Sequence, residues 1–505
     1  MSPAFIATII IVYFSVLILI SWLTGRKADN DAFFRGNKKS PWYIVSIGMI
    51  GASLSGVTFI SVPGWVGSTS MTYMQMVLGY FLGYLVIAHI LLPLYYRLNL
   101  TSIYTYLEER FGFWSYKSGA VLFLLSRTVG AAARLYIMAS VLQVALFNEL
   151  NVPFEATVLV TIMLIWLYTF RGGIKTIIWT DTLQTLFMLT SVGITIVVIS
   201  QSMDLSFSGV VNTISESSFS KIFEFSDWSS KQHFVKQFIS GAFITIVMTG
   251  LDQDMMQKNL SCKNLKEAQK NMHWYGFAFI PVNLLFLGLG ALLYLYAAQQ
   301  GIAIPEKADD LFTVIAMKGH LPQIVGVFFV LGLVAAAYSS ADSALTSLTT
   351  SFSVDILGVS HQSASRAKRT RLAVHVGFSL LLALVVLLFN VFNKGSIIST
   401  IFNLAGYTYG PLLGLYAFGL FTKWKVNDVW VPLVAILAPV MTGVIDYNAV
   451  EWFGAAMGFE KLILNGAITF IGLLILSEFM NNAQFQKCKW YIIVKAISRI
   501  ISLFR

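Results

Sequence analysis

Long, nearly unbroken apolar runs dominate the hydrophobic pattern of this 505-residue chain. A membrane-spanning helix needs about 20 mostly apolar residues, and runs of roughly that length occur thirteen times. They are continuous, whereas the strands of an outer-membrane barrel alternate over about 10 residues, so they predict helices. The predicted spans are 3–24, 43–67, 73–96, 118–147, 155–170, 176–200, 234–256, 272–299, 321–352, 371–391, 395–421, 428–446 and 462–480.

The basic residues predict the orientation of these spans. With residues 25–42 on the cytoplasmic side, the inner loops and the tail hold 25 of the 34 Lys and Arg residues, and the outer loops hold 6. Cytoplasmic loops of membrane proteins carry the excess of Lys and Arg. We therefore expect the N-terminus outside and the C-terminus inside. No basic residues precede the first run, which predicts a retained span rather than a cleaved signal peptide.

The composition excludes several classes of protein. Hydrophobic residues make up 57% of the chain and charged residues 11%, against roughly 25% charged residues in soluble domains. This excludes a soluble enzyme, a disordered protein and a nucleic-acid-binding protein. Two cysteines and six scattered histidines form no disulfide framework, metal motif or catalytic motif. We therefore expect no enzyme activity, no cofactor, no nucleic-acid partner and no obligate protein partner.

Polar residues inside the predicted spans are the candidates for function, because such groups are costly in a membrane. In the second span, two glycines flank two serines within residues 51–56. Unwinding there would expose carbonyl oxygens to a hard cation, although small residues also form helix-packing faces. In the ninth span, Asp342 follows Ser339 and Ser340, and its carboxylate needs a cation, an arginine or a proton.

Three further carboxylates lie near the inner ends of spans. Asp181 lies near the start of the sixth span, where it could serve function or pair with Arg171 or Lys175. Asp252 and Asp254 end the seventh span. These two could be gate residues or part of a solvated helix end, and the solvated helix end is the preferred interpretation for Asp254.

The fourth span carries two arginines, Arg127 and Arg134, seven residues apart and therefore near one helix face. One of them could pair with Asp181 or Asp342. One could instead hold a substrate carboxylate, because a guanidinium group matches carboxylate geometry.

Seven stretches together resemble the sodium/solute symporters, the family of the sodium/glucose, sodium/proline and bacterial sodium/sialic acid transporters. They occur in the family's order and cover most of the chain. They are residues 30–36, 51–63, 101–111, 172–181, 252–258, 339–340 and 410–414.

The resemblance implies an all-α polytopic membrane protein of the leucine-transporter type, with two inverted five-helix repeats. The whole chain, 1–505, would form one transporter domain. Its parts would be a peripheral first helix and loop (1–42), a first repeat (43–200), an inverted second repeat (234–421), peripheral helices (428–480) and a cytoplasmic tail (481–505). The tail's helical apolar spacing predicts a short helix on the inner leaflet or, alternatively, a frayed end.

The resemblance also implies two sodium sites. The family's shared site falls on carbonyls of the second span and on a carbonyl and two hydroxyls of the ninth: Gly51, Leu54, Ala336, Ser339 and Ser340. A second site, present in some members, falls on Asp181, Asp342 and Ser343, together with Ser339 and Ser340. Asp342 stands where that pattern has a hydroxyl, so it could strengthen sodium binding, carry a proton or be neutralised by Arg134.

Substrate residues transfer from the family less directly. Hydroxyls of the second span, an arginine of the fourth and polar residues of the eleventh are the implied candidates. They are Ser53, Ser55, Thr58, Arg134, Asn403 and Tyr407.

The expected function is secondary-active import by alternating access in the bacterial cytoplasmic (inner) membrane. Sodium would be the coupling ion, and the solute would be small and polar: a sugar, sialic acid or another organic acid. The alternative is a proton-coupled or sodium-independent transporter of the same fold that uses Asp181 and Asp342. An intramembrane enzyme lacks its motifs here, and a sensory receptor would need a signalling domain.

Overall fold

The computed structural model describes residues 3–26, 28–143, 147–148, 151–392 and 397–477, except for the side chains of Pro3, Val57, Phe392 and residues 397–403. The described part is all helical, without strands. The main helices are α1 (Pro3–Gly25), α2 (Trp42–Ser53), α3 (Gly56–Thr69), α4 (Tyr73–Val86), α5 (Phe113–Leu142), α6 (Phe154–Thr169), α7 (Ile174–Ser202), α8 (Phe234–Thr245), α9 (Gln253–Leu260), α10 (Leu265–Gln299), α11 (Gln323–Ser351), α12 (Ala364–Phe392), α13 (Ile397–Phe421), α14 (Val431–Tyr447) and α15 (Lys461–Ile475).

Short segments extend or connect these helices. Helix α4 continues through a π-helical turn (Ile87–Leu91) into Leu92–Arg97, and π-helical turns also follow α8 (Ile246–Gly250) and α11 (Phe352–Ile356). The short α-helices are Asn30–Arg35, Thr105–Arg110, Phe207–Glu216, Leu311–Met317 and Ala449–Phe453. Single 3₁₀ turns are Gly36–Lys38, Ser218–Ser220, Ala308–Asp310, Val359–His361 and Asp428–Trp430.

A helix, or a pair of helices, lies at each of the thirteen predicted spans. By length and hydropathy, the described residues contain eight helices able to cross a membrane, or ten if each bent pair counts as one span. Several helices begin before the apolar run, as α10 does at Leu265 and α12 at Ala364. The first turns of these helices are polar. Hydropathy therefore locates only the apolar part of each helix, which is the part exposed to lipid tails, and not its polar start. The predicted tail helix lies outside the described residues.

Two spans are broken, the second span near its middle and the seventh near its inner end. Helices α2 and α3 meet at a bend of 56°, and α8 with its π-turn meets α9 at a bend of 65°. The first break falls within residues 51–56, where unwinding was one of the two interpretations of the sequence. The second break interrupts the seventh span. According to the family resemblance, this span is the first helix of the second repeat.

Helix α11 lies at the centre of the bundle. Within its most apolar stretch, 78% of the residues are buried, against 28% in α1 and 22% in α14, so α1 and α14 are peripheral. Helix α11 packs against α7 and α5, while α2 packs against α7, and α8 against α4. Helices α4 and α8 approach each other closely because residue 79 is a glycine. A Cβ at Gly79 would lie 2.1 Å from the carbonyl oxygen of Phe238.

Candidate substrate and sodium sites

A cavity of about 120 Å³ opens beside the break between α2 and α3. Four of the predicted substrate residues line it: Ser53, Ser55, Thr58 and Arg134. Ser53 Oγ lies 2.5 Å from the hydroxyl of Tyr275, which in turn lies 2.8 Å from the hydroxyl of Tyr84. The cavity therefore combines hydroxyls and a guanidinium with an aromatic wall, which is formed by Trp65, Tyr73, Tyr80, Tyr84 and Phe279.

The two arginines of α5 both line this cavity but differ in their partners. Arg127 is buried and forms an ion pair with Asp254, and its Nη1 lies 3.9 Å from Asp252 Oδ2. Arg134 forms no ion pair with any described carboxylate, and its Nε has no hydrogen-bond partner there. Arg134 is therefore the guanidinium available to a ligand, whereas Arg127 is held by the protein.

The acidic end of the seventh span is not a solvated helix end, so that interpretation of Asp254 is wrong. Asp252 and Asp254 are at most 1% exposed. Asp252 caps α9 by accepting from the backbone N–H of Asp254 at 2.9 Å, and it also accepts from the hydroxyl of Tyr409. The broken span places this helix start inside the bundle, where Arg127 balances its charge.

The second span supplies the first half of the predicted shared sodium site. Helix α2 ends at Ser53, and Leu54 and Ser55 leave the helical path before α3 begins. The N–H groups of Ser55 and Thr58 would bond the carbonyls of Gly51 and Leu54 in an unbroken helix, and here they do not. The break thus frees two carbonyl oxygens, which are ligands that a hard cation prefers.

Helix α11 supplies the other half. Ala336, Ser339 and Ser340 are all buried, and the Ser340 hydroxyl lies 3.3 Å from the carbonyl oxygen of Ala336. The two halves adjoin, because a Cβ at Gly56 would lie 3.3 Å from the Cβ of Ala337. The break in the second span and the segment of α11 that carries Ala336, Ser339 and Ser340 are therefore in contact, and the shared sodium site remains a prediction.

Two hydroxyls of the predicted second sodium site, those of Ser339 and Ser343, bond to the buried carboxylate of Asp181. Ser339 donates to Asp181 Oδ1 at 2.7 Å, and Ser343 donates to Oδ2 at 3.3 Å. The ammonium of Lys258 lies 2.7 Å from Oδ2. Asp181 therefore pairs with neither Arg171 nor Lys175, which were the partners expected from their closeness in sequence.

Asp342 has a different environment from the one expected. Its Oδ2 accepts from the hydroxyl of Tyr168 at 2.8 Å, and its Oδ1 accepts from the N–H of Ser343 at 2.5 Å. No ion pair joins it to Arg134 or to another described cation, so the proposed neutralisation by Arg134 does not occur in this structure.

The prediction missed Lys258 as a partner, although the residue lies inside one of the family-like stretches. Lys258 lies just past the predicted seventh span, 234–256, and was counted among the basic residues of the inner loops. Of the remaining substrate candidates, Tyr407 lies outside the cavity lining and donates to Asp446 Oδ2 at 2.7 Å. The side chain of Asn403 lies outside the described residues.

Comparison with known proteins identifies the family of this chain. The model of the sodium:solute symporter family matches residues 33–428. The sodium/sialic acid symporter SiaT of Proteus mirabilis is 24% identical over 477 residues, covering 90% of this chain and 93% of its own. The sodium/sialic acid symporter NanT of Aliivibrio fischeri is 25% identical over 468 residues, covering 89% of each.

A solved structure of a sodium-coupled sialic acid symporter, substrate-bound and outward-open, has the same fold. Its TM-score is 0.78 at 20% identity, covering 93% of this chain and 97% of that one. The family model spans well over half of the chain, so the resemblance noted from its motifs is confirmed. This chain belongs to the sodium:solute symporter family, and it is a multi-pass membrane transporter with sodium as its coupling ion rather than an enzyme.

Proposed function

We propose that this protein imports a small, hydroxylated organic acid together with sodium across the bacterial cytoplasmic membrane. The observation that carries the proposal is Arg134, a guanidinium that lines the central cavity without an ion-pair partner among the described residues. A charge in a low-dielectric site needs a counter-charge. A carboxylate on the solute would supply it in a two-pronged geometry that arginine favours.

The rest of the cavity supports a solute with both polar and apolar faces. Hydroxyls of Ser53, Ser55 and Thr58 can exchange hydrogen bonds with solute hydroxyls, and the aromatic wall can cover apolar ring faces. Sialic acid has this chemistry, and two relatives are named for carrying it. Other sugar acids and short hydroxy acids share it.

Coupling to sodium follows from the position of the break in the second span. Leu54, a candidate sodium ligand through its carbonyl, lies between Ser53 and Ser55, which line the cavity. A cation that fixes the backbone at Leu54 thereby fixes both hydroxyls for the solute. Sodium and solute would then each raise the affinity of the protein for the other, as thermodynamic linkage requires.

The decisive experiment measures uptake into proteoliposomes of purified protein at fixed membrane potential. Sialic acid, glucuronate and lactate are each tested with and without a sodium gradient, beside glucose as an uncharged control. We expect sodium-dependent uptake of at least one acid and none of glucose. Uptake that needs no sodium and responds to pH would instead support the proton-coupled alternative. Sodium-dependent uptake of glucose alone would contradict the carboxylate assignment.

Ser340 provides a test of the shared sodium site. Replacing Ser340 with Ala removes a hydroxyl ligand, and we expect the sodium concentration for half-maximal uptake to rise about tenfold. Uptake at saturating sodium should be largely retained. The matched control is Ser347→Ala, since this buried hydroxyl on the same helix bonds only the carbonyl of Ala344, at 3.0 Å. Equal sodium dependence in the two variants would contradict the assignment.

A further inference from the structure

A lysine lies among the groups that the family resemblance assigns to a second sodium ion. The ammonium of Lys258 lies 2.7 Å from Asp181, and both side chains are at most 1% exposed. Ser339 and Ser343 donate their hydroxyl protons to the same carboxylate. One carboxylate, two hydroxyl donors and one ammonium thus form a buried cluster.

The fold leaves this lysine little freedom to move away. Every residue of α9 is buried, so the ammonium has no short path to water. The start of the helix is held by the cap of Asp252 and by Arg127. One residue before the lysine, Gln257 donates to the carbonyl oxygen of Phe34 at 2.8 Å and to Thr350 Oγ1 at 3.0 Å.

The position of Asp181 is also fixed by packing, here of helix α2 against helix α7. Asp181 lies seven residues into α7, about 10 Å along the helix axis. Helix α2 packs closely there, because a Cβ at Gly48 would lie 3.1 Å from the Cβ of Asp181. The lysine and the carboxylate are therefore brought together by three packed helices rather than by two mobile side chains.

We propose that the ammonium of Lys258 is the resident cation of the Asp181 site, and that the chain consequently carries one sodium ion per cycle. This rests on the sodium-coupled function proposed above. A sodium ion at Asp181 would lie beside the ammonium, and two like charges repel strongly in a low-dielectric interior. Asp342 is close enough to the ammonium to interact with it electrostatically, but it forms no ion pair with it, and its two oxygens accept from Tyr168 and from the N–H of Ser343.

Counting bound sodium ions on the purified, full-length protein tests the proposal without depending on transport. Equilibrium dialysis with radioactive sodium should give one ion per wild-type chain. Lys258→Gln leaves Asp181 without a counter-charge, so this variant should bind two ions. Lys258→Arg should bind one. The matched control, Lys175→Gln, removes a lysine of the same helix as Asp181 that makes no ion pair with it, and should also bind one.

Flux measurements give a second readout of the same number. The sodium dependence of uptake should have a Hill coefficient near one in the wild type and a higher one in Lys258→Gln. Asp181→Asn combined with Lys258→Gln removes both charges of the pair, so it avoids an unpaired buried charge and should bind one ion. The wild-type count still tests the proposal if the single variant fails to fold, and the double variant checks that the shared site is intact without the pair.

The remaining outcomes separate this proposal from the function it rests on. Two ions bound to the wild type would overturn the proposal and leave sodium coupling intact. One ion bound to Lys258→Gln would also overturn it, because the lysine would then be only a structural partner of Asp181. No sodium bound to the wild type would contradict both the proposal and sodium-coupled import.

Discussion

Replacing Arg134 with Gln should raise the half-saturating concentration of an acidic solute at least about thirtyfold. Removing one partner of a buried charge pair costs upwards of about 2 kcal/mol, which corresponds to that factor. Arg134→Lys keeps the charge but loses the planar, two-pronged donor, so its uptake should also be impaired. Initial uptake rates are measured against solute concentration, for each acid and for its uncharged carboxamide.

The carboxamides make the experiment specific to the carboxylate. The wild type should prefer each acid to its amide, and Arg134→Gln should lose that preference while still binding sodium. The matched control is Arg97→Gln, which neutralises an exposed arginine at the end of the α4 extension and should leave uptake unchanged. If Arg134→Gln still prefers each acid to its carboxamide, another residue binds the carboxylate of the solute.

Breaking the pair of Arg127 and Asp254 should impair both folding and transport. Arg127→Gln leaves the buried carboxylates of Asp252 and Asp254 without their counter-charge, at an expected cost of about 3–5 kcal/mol. Asp254→Asn leaves Arg127 beside Asp252, so its cost should be smaller. The double variant has one uncompensated carboxylate, Asp252, instead of two, so it should melt at a higher temperature than Arg127→Gln. The measurement is the thermal unfolding of purified protein, with uptake as a second readout. A double variant as unstable as the worse single variant would count against the pair.

A second ion pair in the chain provides the control. Lys461 lies 3.1 Å from Asp446, whose side chain is 21% exposed, whereas the carboxylate of Asp254 is almost fully buried. Water can solvate the carboxylate of Asp446 once Lys461 is neutralised, so this change should cost about 1 kcal/mol or less. An equal loss of stability on neutralising Arg127 and on neutralising Lys461 would mean that burial does not determine the cost of breaking an ion pair.

The sequence alone determined the features that depend on local chemistry. Lipid demands long apolar helices, so hydropathy located the spans without any knowledge of how they pack. The glycines and serines of residues 51–56 predicted the break in the second span, because small and hydroxylated residues hold a helix weakly in mid-membrane. The hydroxyls around Ser339 and the carboxylate of Asp181 were recognisable as functional candidates because such groups are costly in lipid.

Only the tertiary structure decided which partner each buried charged side chain has. Closeness in sequence suggested Arg171 or Lys175 for Asp181, and Arg134 was one of the candidate partners for Asp342. The structure pairs Asp181 with Lys258 instead, and bonds Asp342 to Tyr168. Similarly, the sequence favoured a solvated helix end for Asp254. The structure shows instead that the helix after the break in the seventh span places Asp254 against Arg127. The physical reason is that burial and ion pairing depend on how helices distant in sequence cross, which periodicity and hydropathy do not encode.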